Sequence, residues 1–314
     1  MIHLRVASPP ERTDQVLALL AGDANVVDLV VHRGALHPAG DAIECDVLAG
    51  AANELLARLR ELRVHRHGSL MVDPVDLALS DRADAAAAAL HGPLARAPIW
   101  AEVEARIARD ATYSPSFYLY LVIAGVIGAV GLLTNSQILI VAAMILGPEY
   151  GAITGVALGV DRRDWRPIRQ GLAALTAGFA LAIAAAYAFT MLVRALGMVP
   201  QAFSLGVRPV SHLIDTPNFY SVVVAVLAGI AGVVALTHTR TSTLLGVFVS
   251  VTTIPAAADV GVGLAAASPV QARGSLLQLL LNIALLIIVG FATLRTLRAI
   301  WGRISRRAAA RWHT

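Results

Sequence analysis

Lysine is absent: all 25 basic residues are arginine, a bias that reads as genomic base composition rather than as a nucleic-acid signal. Cysteine occurs once, at Cys45, so neither an intrachain disulfide nor a cysteine-based zinc site can form. Within the strand-like run Ile43–Val47 it reads as a small core residue. No uninterrupted apolar stretch follows Met1, and Glu11, Asp14, Asp23 and Asp28 charge the start of the chain, so no secretory signal peptide is expected. No His-Glu-x-x-His or Gly-x-Ser-x-Gly run occurs. Asp259-Val260-Gly261 lacks the glycine-before-aspartate order of an intramembrane aspartyl protease. An enzyme, a cofactor and a resident metal are therefore not expected. His65-Arg66-His67 has no third ligand nearby and reads as a solvated turn. The basic run Arg58, Arg60, Arg63 and Arg66 is balanced by Glu54 and Glu61 and lacks interleaved aromatics, which argues against nucleic acid.

Charge is also scarce. Only 15% of residues are charged and 57% are apolar, with a mean hydropathy of +0.69. A soluble domain has about 25% charged and about 45–50% apolar residues, so an integral membrane protein is the expectation. The charges are unevenly placed: residues 1–116 hold 16 of the 21 acids and 11 of the 25 arginines. The two parts of the chain are built for two solvents.

Residues 1–80 read as a soluble α+β domain. Ile2–Ala7 alternates as a strand, Glu11–Leu20 has helical periodicity, and Val26–His32 is a strand. Arg33–Gly40 is a turn, Ala42–Leu48 a strand, Asn53–Leu62 a helix with leucines at 55, 56, 59 and 62, and Leu70–Leu79 a strand interrupted by Pro74. The order β-α-β-β-α-β is the ferredoxin-like arrangement, an antiparallel sheet with both helices on one face. Such domains serve as ligand-binding regulatory units or dimerisation modules. Residues 81–116 are a helical connector, with Asp81 as an N-cap for the alanine run 85–89 and Trp100 placed at a lipid interface.

From Ala111 to Pro148 no side chain is formally charged. A helix needs about 20 residues to cross a hydrocarbon core of about 30 Å, so this stretch makes two spans turned at Thr134-Asn135-Ser136-Gln137. Six spans result over 117–294: 117–133, 136–160, 171–193, 218–236, 242–266 and 275–294, with an arginine-rich tail at 295–314, while residues 195–217, holding Pro200, Arg208, Pro209, His212, Asp215 and Pro217, read as an interfacial loop. Asp161–Arg169, Arg240 and the tail together carry eleven arginines, against Arg194, Arg208 and Arg273 on the other side. The positive-inside rule places the first set, and both termini, in the cytoplasm of a plasma (inner) membrane protein. Arg162, Arg163, Arg303, Arg306 and Arg307 would meet anionic headgroups. Small residues at helical spacing in span one (Ala124, Gly125, Gly128, Gly131) and span four (Ala225, Ala228, Gly229, Gly232) allow close helix contact within or between subunits. Together with sheet edges that pair readily, they favour a homodimer.

The six spans divide into two threes of similar texture. Pro148 lies twelve residues after Ser136 and Pro255 thirteen after Ser242. Three spans per half make the repeat inverted, the layout of secondary transporters that bind substrate and ions at broken helices near midplane. Proline removes an N–H and clashes with the preceding turn, so both spans are expected to break. At 1.5 Å per residue Glu149 lies about 20 Å from Ser136 and about 18 Å from Asp161, close to midplane. Glu149 and Asp259 are the two acids inside the spans. A buried intramembrane acid costs about 2.5–3.5 kcal/mol to insert and is by default a functional candidate. Carboxylate beside freed carbonyls suits a proton or a hard cation. Asn135, Ser136, Tyr150, Thr154, Thr252, Thr253, Gln278 and Asn282, beside Pro148 and Pro255, could complete an ion- or substrate-binding site.

Asn135-Ser136, the run Ala143-Met144-Ile145…Pro148…Gly151, the segment Ala228-Gly229-Ile230-Ala231-Gly232, Pro255, Gly261 and the Asn282 span resemble the domain of unknown function 389 family over roughly 117–295. That resemblance implies a bacterial or archaeal membrane protein, some of whose relatives carry a soluble N-terminal domain, and it implies no substrate. The combined expectation is a membrane α-helical protein: a six-span bundle of 3+3 inverted repeats with two proline-broken helices, preceded by a soluble α+β ferredoxin-like domain. Its expected role is a secondary transporter or ion/proton-coupled permease for a small molecule. The alternative is a non-transporting membrane sensor or scaffold whose N-terminal domain binds a ligand or partner.

Overall fold

The computed structural model describes residues 1–37, 39–75, 97–206, 208–237 and 252–312, without the side chains of Leu213 and residues 305–312. It separates into two compact units: Met1 to Val103, joined by the last helix from Arg298 onward, and Glu104–Leu297.

In the first unit β1 (Ile2–Ser8), α1 (Pro10–Ala21), β2 (Val26–Leu36), β3 (Gly40–Val47), α2 (Ala49–Glu61), the one-turn α3 (Val64–His67) and β4 (Ser69–Pro74) follow in order. The sheet order is β2-β3-β1-β4, every pair antiparallel. Strand alternation sorts the faces. Ile2, Leu4 and Val6 of β1 and Ile43, Cys45 and Val47 of β3 are buried with Val16 and Leu20 of α1 and Leu55 and Leu59 of α2. On the opposite face the in-register neighbours His3 and Asp46 meet at 2.9 Å, and Arg5 and Glu44 at 3.5 Å.

Strand β2 runs past His32 to Leu36, shortening the turn expected at Arg33–Gly40. Gly34 takes a left-handed φ of 67° and gives its N–H to Asp41 Oδ1 at 2.7 Å. The ladder shifts register there, and the strand continues as a bulge. Strand β4 ends at Pro74, and the 76–79 part of the expected strand lies outside the described residues, as do Asp81 and the alanine run. Trp100, expected at a lipid interface, belongs to the first unit. Its backbone N–H donates to Asn53 Oδ1 at 3.0 Å, and the Arg298 guanidinium stands 5.3 Å over its ring.

Helix α4 (Trp100–Asp110) begins in the first unit and ends in the second, where α5 (Pro115–Leu133), α6 (Gln137–Leu146), α7 (Glu149–Arg162) and α8 (Trp165–Ala195) follow. The short α9 (Gln201–Ser204) and α10 (Pro209–Ile214) come next, then α11 (Phe219–Thr237), α12 (Thr253–Ala265) and α13 (Pro269–Trp312). Among the described residues four helices, α5, α8, α11 and α13, are long and apolar enough to cross a membrane. The pair α6–α7, bent by 50° at its break, makes a fifth if counted as one span. The first part of the span expected at 242–266 lies outside the described residues, and α12 is its described remainder. Spans three and six are longer than expected, because α8 starts at Trp165 and α13 continues through the arginine-rich tail as helix. The interfacial loop read at 195–217 contains α9 and α10.

Helix α8 packs against α5, α7 and α12, and α5 also packs against α6 and α12. Small residues make these contacts close. A Cβ on Gly125 would stand 2.7 Å from the Ala182 carbonyl oxygen, and one on Gly261 2.6 Å from that of Ile183. Gly128 faces Ala258, Gly229 faces Val289, and Gly232 faces the Tyr150 ring. The small-residue faces of spans one and four are therefore filled within the subunit.

Candidate functional site

The break between α6 and α7 follows from its sequence. Pro148 has no N–H to extend α6 and instead takes the N-cap position of α7, while Gly147 is extended with φ −68° and ψ 122°. Glu149 is thus the first residue of a helix, where the exposed N–H groups and the macrodipole favour a negative charge. Pro255 interrupts no helix among the described residues, which resume at Thr252. It lies in the first turn of α12, which begins at Thr253, and there its missing N–H is no loss. Gly147 and Ile254 are packed together at these two helix starts.

Glu149 is 7% exposed, and its Oε1 accepts a 2.6 Å hydrogen bond from Thr253 Oγ1 at the start of α12. Its Oε2 has no hydrogen-bond partner among the described residues and lies over Gly147, where any Cβ would collide with it. The adjacent Thr252 Oγ1 accepts from Asn282 Nδ2 at 3.1 Å, and Asn282 Oδ1 accepts from Gln278 Nε2 at 3.1 Å. The structure therefore joins Glu149, Thr252, Thr253, Gln278 and Asn282 across three helices.

Asp259 is fully buried. Its Oδ1 accepts from Ser211 Oγ and Gln271 Nε2, both at 2.8 Å, and its Oδ2 accepts from Ser275 Oγ at 2.5 Å. The Arg208 guanidinium in turn donates to Gln271 Oε1 at 2.9 Å. Gln271, Ser275, Gln278 and Asn282 follow the i, i+4, i+7, i+11 spacing of one helix face, and all four are buried. They give α13 a polar stripe that serves the Asp259 cluster at one end and the Thr252 cluster at the other.

The remaining expected site residues lie elsewhere. Asn135, at φ 52°, and Ser136 form the turn between α5 and α6, and Ser136 Oγ caps α6 by accepting from Leu139 N at 3.4 Å. The ten residues of α6, about 15 Å of helix, separate that turn from Glu149. Tyr150 is buried against Gly232 of α11. Among the arginines expected at headgroups, Arg162 pairs with Glu104 of α4, while Arg163 is the exposed left-handed C-cap of α7. Arg303 is exposed, and the side chains of Arg306 and Arg307 are outside the described set. At the end of α4, burial raises the Asp110 carboxyl above the ordinary carboxylate range. Among the described residues, no three His, Cys, Asp or Glu side chains are grouped to hold a metal ion.

Two half-helix starts, two buried acids and the α13 stripe all lie inside one stretch of chain that can be compared with known proteins. Residues 144–288 match the model of the Domain of unknown function (DUF389). The DUF389 match takes in Glu149, Thr252, Thr253, Asp259, Asn282 and every donor to the two acids, and it leaves out the first unit and the Asn135-Ser136 turn. An uncharacterized protein of Methanocaldococcus jannaschii is similar, at 24% identity over 177 residues, covering 56% of this chain and 52% of the relative. The chain thus spans about half the length of the curated relative it matches. No solved structure matches.

Ser211, Gln271 and Ser275, the three donors to Asp259, are absent from the sequence-based site. Serine and glutamine in a helix carry no pattern of their own. The available signals were the polar cluster Arg208, Ser211, His212 and Asp215 in a segment read as a plain loop, and the four-residue stripe on α13.

Proposed function

We propose that the protein is an ion- or proton-coupled permease of the inner membrane, with Glu149 and Asp259 as its coupling acids. The observation that carries this reading is the partner set of the two acids. A carboxylate kept only to brace a kink would bond the freed backbone beside it. Here Glu149 takes, besides its own backbone N–H, the hydroxyl of Thr253 from another helix, and Asp259 is held by Ser211, Gln271 and Ser275 from two further segments. Acids held between separate elements are placed to respond when those elements move, and half-helix starts near such acids suit the handling of charged solutes.

The finer architecture belongs to this proposal. Six crossings in two inverted threes would pair α5, α6–α7 and α8 with α11, the span ending in α12, and α13. The sheet order β2-β3-β1-β4 with its βαββαβ connectivity supports the ferredoxin-like reading of the first unit as a cytoplasmic regulatory or dimerisation domain of a homodimer. No catalytic role is proposed.

The test is flux through the purified full chain in liposomes under an imposed potential, with proton movement read by entrapped pyranine and cation movement by radiolabelled sodium. Wild-type vesicles should conduct above empty ones. Glu149→Gln and Asp259→Asn, each removing an intramembrane charge, should cut that flux at least about tenfold. Flux unchanged in both variants would remove the acids from the mechanism.

A further inference from the structure

Beside Asp259 the structure holds a cavity of about 240 Å³ lined by Arg208, Ser211, His212, Asp215, Ser268 and Gln271, among others. Its floor is the cage of Asp259, because Ser211 and Gln271 donate to that carboxylate. Its wall carries a second acid. The Asp215 side chain is 12% exposed, and His212 Nδ1 approaches its Oδ2 only to 3.7 Å. Asp215 Oδ1 is buried and has no hydrogen-bond partner among the described residues. The position of Asp215 is built in: its backbone carbonyl lies against Gly274 of α13, where a Cβ would overlap it.

The arginine that lines the cavity hydrogen-bonds to neutral acceptors. Arg208 is committed to Gln271 Oε1 at 2.9 Å and to the Phe203 carbonyl at 3.4 Å, with its guanidinium 4.0 Å over the Phe203 ring. The cavity thus gathers Asp215 in its wall and the cage of Asp259 in its floor around a single guanidinium. A buried carboxylate oxygen without a donor is costly, and a bound cation removes that cost. The volume equals about eight waters at about 30 Å³ each, too large for a bare ion and suited to a partly hydrated one or a small ammonium.

We propose that this cavity is a binding site for a small monovalent cation, an alkali ion or a primary ammonium, with Asp215 as its principal ligand. In the permease reading, on which its role in transport rests, it is the vestibule from which the cation reaches Asp259. Binding itself does not depend on that reading.

The test uses the full chain in detergent, with unfolding followed by intrinsic fluorescence. Sodium, potassium or methylammonium chloride replaces N-methylglucamine chloride at constant ionic strength. A ligand that binds the folded state raises the midpoint saturably. Wild-type protein should show a saturable rise with at least one of the three small cations. Asp215→Asn should weaken the apparent affinity at least about tenfold, and Asp215→Glu should retain it. A response to sodium or potassium identifies an alkali site, and a response to methylammonium alone an ammonium site. If Asp215→Asn does not fold, Ser268→Leu, which puts a bulkier side chain in the cavity wall, must weaken the response instead. The proposal is overturned if no cation gives a saturable rise in the wild type, or if Asp215→Asn, or Ser268→Leu in its place, titrates like it. Saturable binding without flux would reject the permease reading and leave this site standing; flux without binding would do the reverse.

Discussion

Cys45 sits on β3 with 1% exposure, between the sheet and its two helices. Burial pushes its thiol up to about 12, and the Asp46 charge adds to the effect. The thiolate is the reactive species, so the folded protein at pH 8 should react with iodoacetamide about three orders of magnitude more slowly than the unfolded chain. Mass spectrometry of a time course, with and without denaturant, checks this; comparable rates would place Cys45 outside the core. Reading that residue as core needed only its alternating neighbours. Glu149 and Asp259 were equally legible, because an acid within a long uncharged run stands out against its background. Their partners were not. Thr253 lies 104 residues from Glu149 and Ser211 lies 48 from Asp259, and no local pattern joins residues so far apart. The same limit hid Asp215, an acid in a segment whose polarity looked ordinary for a loop.

At the scale of elements, proline positions fixed where helices start better than how they bend. Pro148 ends one helix and begins another, as its chemistry requires, whereas Pro255 lies harmlessly in a first turn. The glycines of α5 looked equally suited to contact within or between subunits. Only packing assigned Gly125 to α8, where the facing atoms are backbone and cannot move aside. Gly125→Ala should therefore destabilise the helix pair by about 1–3 kcal/mol, the cost of overpacking. Gly290→Ala, whose Cβ would meet nothing nearer than 3.5 Å, should be neutral or stabilising by up to about 1 kcal/mol from helix propensity. Thermal unfolding of both variants in one detergent checks the contrast, and equal effects would mean that the α5–α8 approach is looser than described.

For the whole molecule, most of the acid-rich start falls in one compact unit and most of the apolar remainder in the other, the arginine-rich end being grouped with the first. The arginine asymmetry leads to one prediction at this scale. Green fluorescent protein fused to either end should fluoresce in intact cells, and alkaline phosphatase at the same ends should be inactive, as for termini in the cytoplasm. Phosphatase activity at one end would require an odd number of crossings. Solvent preference and chain period are local or additive properties, so the sequence by itself determined the apolar helices, the sheet-forming start, the break at Pro148 and the presence of two acids among apolar spans. Which hydroxyls and amides hold those acids, which glycines touch which helices, and that Asp215 shares a cavity with the Asp259 cage were decided by the tertiary structure alone. Burying a carboxylate demands donors at hydrogen-bond distance, and folding supplies them from wherever in the chain they come to lie.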